Sequence, residues 1–171
     1  NILLLDATKY EEEDLKSYKK EIENLCRKWN IGLFRGKWRS SKAGVINDFL
    51  GLINGKDKER NLLQFGKEVD LSNVKYIAVF DAGEGPCSDF LEEPVAQMEG
   101  DQSVALVQMT QYFTNFRENR IANAVKYLYQ VFYDYIWQGK SLSGAMYSLG
   151  TNVLYRVKAL EDVGGLDERS V

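Results

Sequence analysis

Apolar residues follow two alternating rhythms along this chain. Short unbroken runs have the length of strands: "ILLLDA" near the start, "IGLF" at 31–34, "VKYIAVFD" at 74–81 and "SVALVQM" at 103–109. Continuous runs of this kind suit strands covered on both faces. Between them the apolar positions recur every three or four residues. Leu15, Tyr18, Ile22, Leu25 and Trp29 predict an amphipathic helix with an acidic first turn that suits the helix dipole. Val45, Phe49 and Ile53 predict a second helix, ended by Asn54 and Gly55. Leu91, Val95 and Met98 mark a third, in which Pro94 requires a kink or a late start. Ile121, Val125, Leu128, Phe132 and Ile136 extend a long helix over about 117–137, with Asn115 and Glu118 as its capping pair. Residues 55–73 read as a long polar connection with a short helical stretch around "RNLLQF". "TNVLYR" reads as a strand or extended segment, and "VKALEDVGG" as a short helix closed by Gly164 and Gly165.

This order, βαβαβαβα followed by a short strand and a helix, predicts an α/β fold with a mostly parallel sheet, as one domain over 1–171. The ends predict a piece of a longer protein. Asn1 opens directly onto a core-like strand, and Val171 closes the chain just after "GGLDERSV".

Composition narrows the chemistry. The 171 residues carry a net charge of −3, against the basic surface expected of a nucleic-acid binder, so no nucleic-acid partner is expected. There is no run of about 18 apolar residues of the kind that spans a bilayer. Cys26 and Cys87 lie far apart, make no metal spacing and fit a reducing compartment. The chain has no histidine, which removes Ser-His and Cys-His triads and His-ligated zinc.

Open parallel sheets bind ligands at the carboxyl ends of their strands. Three predicted strand ends carry suitable residues: Asp6, Asp81, and Gln108 with Gln111. Two converging acids would hold a divalent metal or sugar hydroxyls; equally, a strand-end Asp often only caps the next turn. Lys42 is open in the same way, between a cation beside a diphosphate and a solvated first-turn residue. The aromatic residues of the long helix, Tyr127, Tyr129, Phe132, Tyr133, Tyr135 and Trp137, suit core or a neighbour-facing surface more than sugar stacking.

"KAGVIN" (42–47), "DAGEGP" (81–86), "ALVQMTQYFTN" (105–115) and "GTNVLYRVKALEDVGGLDE" (150–168) appear in that order. Together they resemble the processive membrane glycosyltransferases of the cellulose synthase and hyaluronan synthase type, within the large inverting family-two group. The last segment is the most specific, and the resemblance covers nearly the whole chain. It implies a GT-A, Rossmann-like fold flanked by helices and truncated at both ends. The implied reaction transfers a hexose from a uridine diphosphate (UDP) sugar to a polysaccharide or lipid acceptor. The implied location is the cytoplasmic face of the membrane, attached through segments outside this chain.

The resemblance also assigns residues. Asp6 stands where the family contacts the nucleotide base, with Ala7 in place of a second acid. Lys42 matches the lysine beside the diphosphate. Asp81 matches the first acid of the family's D-A-D turn, and Gly83 replaces the second, a direct ligand of the Mg or Mn that bridges the diphosphate. Glu84 is the acid that would stand in for it, making Asp81 and Glu84 the implied metal ligands. Gln108 and Gln111 match the family's two sugar-site glutamines, and Gly150, Thr151 and Asn152 match its acceptor-site turn. The general base is expected beyond Val171. The missing acids at 7 and 83 motivate a second reading, a non-catalytic relative that keeps the fold and binds a nucleotide. A nucleotidyltransferase ranks last, because "DATKYEEE" is not a Gly-rich phosphate loop.

Overall fold

The computed structural model describes residues 3–6, 13–35, 41–55, 62–63 and 70–169. They form two compact parts, one drawn from Asn1–Lys75 and Val157–Val171, the other Tyr76–Arg156.

In the first part β1 (Leu3–Asp6) pairs parallel with β2 (Gly32–Arg35), joined by helix α1 (Glu13–Trp29). The register sets Asp6 opposite Arg35. Two-residue β3 (Leu62–Leu63) pairs antiparallel with β2, where the sequence pattern predicted a helical stretch. Leu62 and Leu63 are adjacent apolar residues without a helical repeat, and the open edge of β2 offers them a ladder.

The stripe of Tyr18, Leu25 and Trp29 on α1, predicted as its core face, is exposed, while Cys26 is buried. An ion pair fits that rotation. Arg35 of β2 donates to Glu23 at 2.6 Å, and Glu23 and Cys26, three residues apart, lie on one side of the helix. Helix α2 (Lys42–Ile53) is capped by Ser41, whose hydroxyl accepts from the Gly44 amide. It buries Val45, Ile46, Phe49 and Leu50, and Phe49 meets Phe34 of β2 edge to face. Helix α6 (Val157–Asp162) ends with the Gly165 amide bonded to the Leu160 carbonyl at 2.7 Å, a Schellman closure that explains the two terminal glycines.

In the second part β6 (Val153–Arg156) lies between β4 (Tyr76–Val79) and β5 (Leu106–Gln108) and runs antiparallel to both. The described strands therefore make one parallel pair and three antiparallel ones, where the alternating pattern predicted a mostly parallel sheet. β6 does not arrive through a β-helix-β crossover of the predicted kind; its segment is the one whose strand character the pattern leaves open. Helix α3 (Glu92–Gly100) starts late, so that Pro94 falls in its first turn, where the missing amide costs nothing. The long helix begins at Arg120, capped by Asn119 rather than by the predicted Asn115. It runs as α4 (Arg120–Val131), a π-helical turn (Phe132–Trp137) and α5 (Gln138–Leu142). Val153, Leu154, Tyr155, Met98, Tyr133 and Trp137 form the buried interior of this part. Arg156 secures its far edge by donating to the carbonyls of Met98, Asp101 and Val104. No helix among the described residues is long and apolar enough to cross a membrane.

Candidate functional site

Because β6 is antiparallel to its neighbours, its first residues lie at the carboxyl ends of β4 and β5. That edge gathers Asp81, Glu84, Gln108, Gln111 and the segment 149–152 in the second part of the molecule, and the predicted site residues of that part all fall there.

The chain leaves β4 in a four-residue turn, with the Glu84 amide bonded to the Asp81 carbonyl at 3.2 Å. Gly83, third in that turn, has a φ of +93°, the left-handed region in which glycine is favoured. Space around it is open, so the backbone rather than crowding disfavours an acid here. Glu84 folds back over the turn. Its Oε2 accepts from the Asp81 amide at 2.9 Å and from the Thr151 hydroxyl, and its Oε1 accepts from the Gln111 amide. The Thr151 hydroxyl in turn accepts from the Asp81 amide at 3.0 Å, and Thr151 is buried. Both carboxylate oxygens of Glu84 are thus engaged by protein donors, while the Asp81 side chain is exposed. Among the described residues no three Asp, Glu, Cys or His side chains gather into a metal-binding group.

The two glutamines differ from each other. Gln108 sits at the end of β5 and spends its amide internally. Nε2 donates to the carbonyls of Thr151 (2.8 Å), Asn152 (3.0 Å) and Met109 (3.1 Å), and Oε1 accepts from the Leu149 amide (2.9 Å). It pins the loop that leads into β6. Gln111 donates to Glu84 and accepts from the Tyr133 hydroxyl at 3.1 Å. Gly150 (φ +82°) and Asn152 (φ +48°) both take left-handed backbone, and the Asn152 Oδ1 is buried without a partner. A strained loop with an unsatisfied acceptor beside a strand edge is the kind of place where ligands bind.

Burial among rings lifts the Tyr133 phenol to about 12, with Tyr129 and Glu84 adding to the shift, so it stays a hydrogen-bond donor at neutral pH. Nothing in the alternation of apolar residues distinguishes Tyr133 from its aromatic neighbours.

The other predicted residues lie in the first part. Asp6 is buried at the end of β1 and accepts from the Arg35 Nε at 3.3 Å. Its two bonded carboxylates hold Arg35 charged, raising its pKa despite burial. Lys42 is exposed in the first turn of α2. Asn47, part of "KAGVIN" but without a predicted role, links α2 to the segment after α6. Its Nδ2 donates to the Leu166 carbonyl and to Glu168, and its Oδ1 accepts from the Leu166 amide. The spacing from Lys42 to Asn47 places that amide one turn into the helix, which was the available signal.

Residues 76–171 match the family model described as glycosyl transferase family group 2. The chain is 30% identical, over 87% of its length, to "Probable glucomannan 4-beta-mannosyltransferase 11" of Oryza sativa subsp. japonica, covering 25% of that protein. It is 28% identical, over 77% of its length, to a UDP-forming cellulose synthase catalytic subunit of Dictyostelium discoideum, covering 11% of that protein. A second rice protein, "Probable glucomannan 4-beta-mannosyltransferase 3", is 27% identical over 87% of the chain, covering 25% of that protein. The chain thus spans a quarter or less of the length of these relatives.

Proposed function

Since the chain belongs to glycosyl transferase family group 2, we propose that it is part of the catalytic domain of an inverting glycosyltransferase with a GT-A fold. The donor is a nucleotide-diphosphate sugar, with UDP as the nucleotide, and the acceptor is a growing polysaccharide or a lipid. The observation that carries this reading is the edge where the Asp81 turn, Gln111 and the 149–152 loop meet, tied together through Glu84.

In this reading the exposed Asp81 faces the donor diphosphate, and Lys42 keeps the role the resemblance gives it, a cation that offsets phosphate charge. Asp81 would hold a Mg or Mn ion, which would supply charge stabilisation to the leaving diphosphate. Glu84 holds the turn in shape through its three donors. Gln108 and the left-handed residues Gly150 and Asn152 fix the loop that borders the acceptor, and Gln111 lies beside it. The reading assigns no residue described above as the general base that takes the acceptor's proton, and it places the enzyme at the cytoplasmic face of a membrane.

Calorimetric titration of the intact protein with UDP, with manganese and then with chelator, tests the reading. Metal-dependent binding abolished by Asp81→Ala is expected. Binding indifferent to chelator would centre the site on Lys42 instead. Absence of binding in both conditions would overturn the donor-site reading, whereas UDP binding without sugar transfer would favour the second reading, a non-catalytic relative, which Gly83 in place of the second acid supports.

A further inference from the structure

We propose that Tyr133, on the π-helical turn of the long helix, is a positioning residue that sets the Asp81–Glu84 turn through Gln111. The proposal rests on the donor-site reading above for its functional meaning, and on the hydrogen bonds alone for its geometry.

A glutamine amide can present oxygen or nitrogen in either direction with little change in shape. Facing Glu84, only the nitrogen is acceptable, because an oxygen would set acceptor against carboxylate. The Tyr133 hydroxyl decides the matter from the other side. It donates to Gln111 Oε1 at 3.1 Å, which turns Nε2 toward Glu84 Oε1. The other oxygen of Glu84 then receives the Asp81 amide and the Thr151 hydroxyl. Tyr133 thus orients Gln111, and donors converge on Glu84 from two sides, the Gln111 amide on one oxygen and the backbone amide of Asp81, the residue placed at the diphosphate, on the other.

The helix holds the phenol in place. Tyr133 is 4% exposed and is flanked by Tyr129 and Phe132, at ring separations of 6.1 and 5.5 Å. Trp137, also 4% exposed, packs on Phe132 at 4.9 Å and on Tyr147 at 4.6 Å. The Trp137 Nε1 is buried without a partner, a cost the cage carries to keep its rings packed. The π-turn is itself a departure from regular helix of a sort concentrated at functional sites.

The test is amide hydrogen exchange of the full chain, resolved at Asp81, in the wild type and in Tyr133→Phe, Gln111→Ala, the double variant, and Tyr135→Phe as an exposed control. Tyr133→Phe keeps the ring and removes only the hydroxyl. Exchange at Asp81 should rise about fivefold, the loss of one hydrogen bond's worth of protection. That increase should disappear in the Gln111→Ala background, because the effect passes through Gln111. UDP affinity should fall by a similar factor in Tyr133→Phe and not in Tyr135→Phe. Unchanged exchange at Asp81 overturns the proposal. So does an equal rise throughout β4, β5 and β6, which would mean general loss of stability, and so does unchanged UDP affinity in a protein that binds UDP. If the wild type binds no UDP, the donor-site reading has failed, and exchange at Asp81 alone decides whether Tyr133 sets the turn.

Discussion

The Asn47 side chain bonds Leu166 as one strand bonds another, giving its Nδ2 to the Leu166 carbonyl at 2.9 Å and taking the Leu166 amide on Oδ1 at 2.8 Å. Gly165 lies so close beneath this pair that a Cβ there would sit 2.6 Å from the Asn47 Oδ1, on a backbone of φ +97°. Contact and conformation both require glycine, so Gly165→Ala should cost about 2 kcal/mol or more. Asn47→Ala, which leaves a part-buried backbone pair unbonded, should cost about 1–3 kcal/mol. Because the two residues share one contact, the double variant should lose less than the sum, as read by urea denaturation.

Gln108 offers a sharp contrast with Lys42. All the bonds seen for Gln108 go to its own chain, so Gln108→Leu should lower stability by about 2 kcal/mol in the absence of any sugar or nucleotide. Gln108→Glu, which turns a carboxylate toward three carbonyls, should cost more. Lys42→Ala, at an exposed position, should stay within about 0.5 kcal/mol. Thermal unfolding of the three variants without ligand checks the order.

Gly83→Asp supplies the second acid that the proposed donor site lacks at this turn. The open space admits the side chain, but φ +93° penalises it by roughly 1 kcal/mol. The expected result is a less stable protein whose UDP complex binds manganese more tightly, since ligand charge count sets affinity. Calorimetry of manganese into the UDP-saturated variant gives the second half of the outcome.

Alkaline pH should expose Tyr133. Its phenol is raised to about 12 in the folded chain, against an ordinary value near 10. The stabilisation it confers is therefore complete below about pH 10 and is lost as pH rises through 12. Denaturation midpoints at pH 9 and pH 12 should differ less in Tyr133→Phe than in the wild type, by an amount of the order of 2 kcal/mol. Tyr155, raised by burial in the same way, leaves a residual alkaline loss in both.

How far could these features be read in advance? The order of strands and helices was legible, because apolar spacing reports local periodicity and nearly every element has one. Strand direction was not. β6 has the same apolar run whichever way it lies, and only its partners, Ile77 against Tyr155 and Leu106 against Tyr155, fix it. The residues of the β4–β5 edge were legible by type and place, since acids and amides at strand ends stand out against an apolar run. Their mutual bonding was not, because Glu84 meets Thr151 across 67 residues of chain. The exposed stripe of α1 shows the same limit from the other side. Periodicity finds an apolar face but not what the ion pair of Arg35 with Glu23 does to its rotation.

The place of β6 has a consequence for how the site comes into being. Among the described residues β4 and β5 have no ladder with each other; each pairs only with β6, the last of the described strands. Synthesis therefore delivers the Asp81 turn long before the strand that completes its sheet, and the Asp81 amide waits for a threonine 70 residues downstream. Closing so long a loop is entropically costly and slow compared with forming the helices between. This edge is accordingly a late event in folding, and a nascent chain halted before Val153 would carry every helix of this part with the candidate site unassembled.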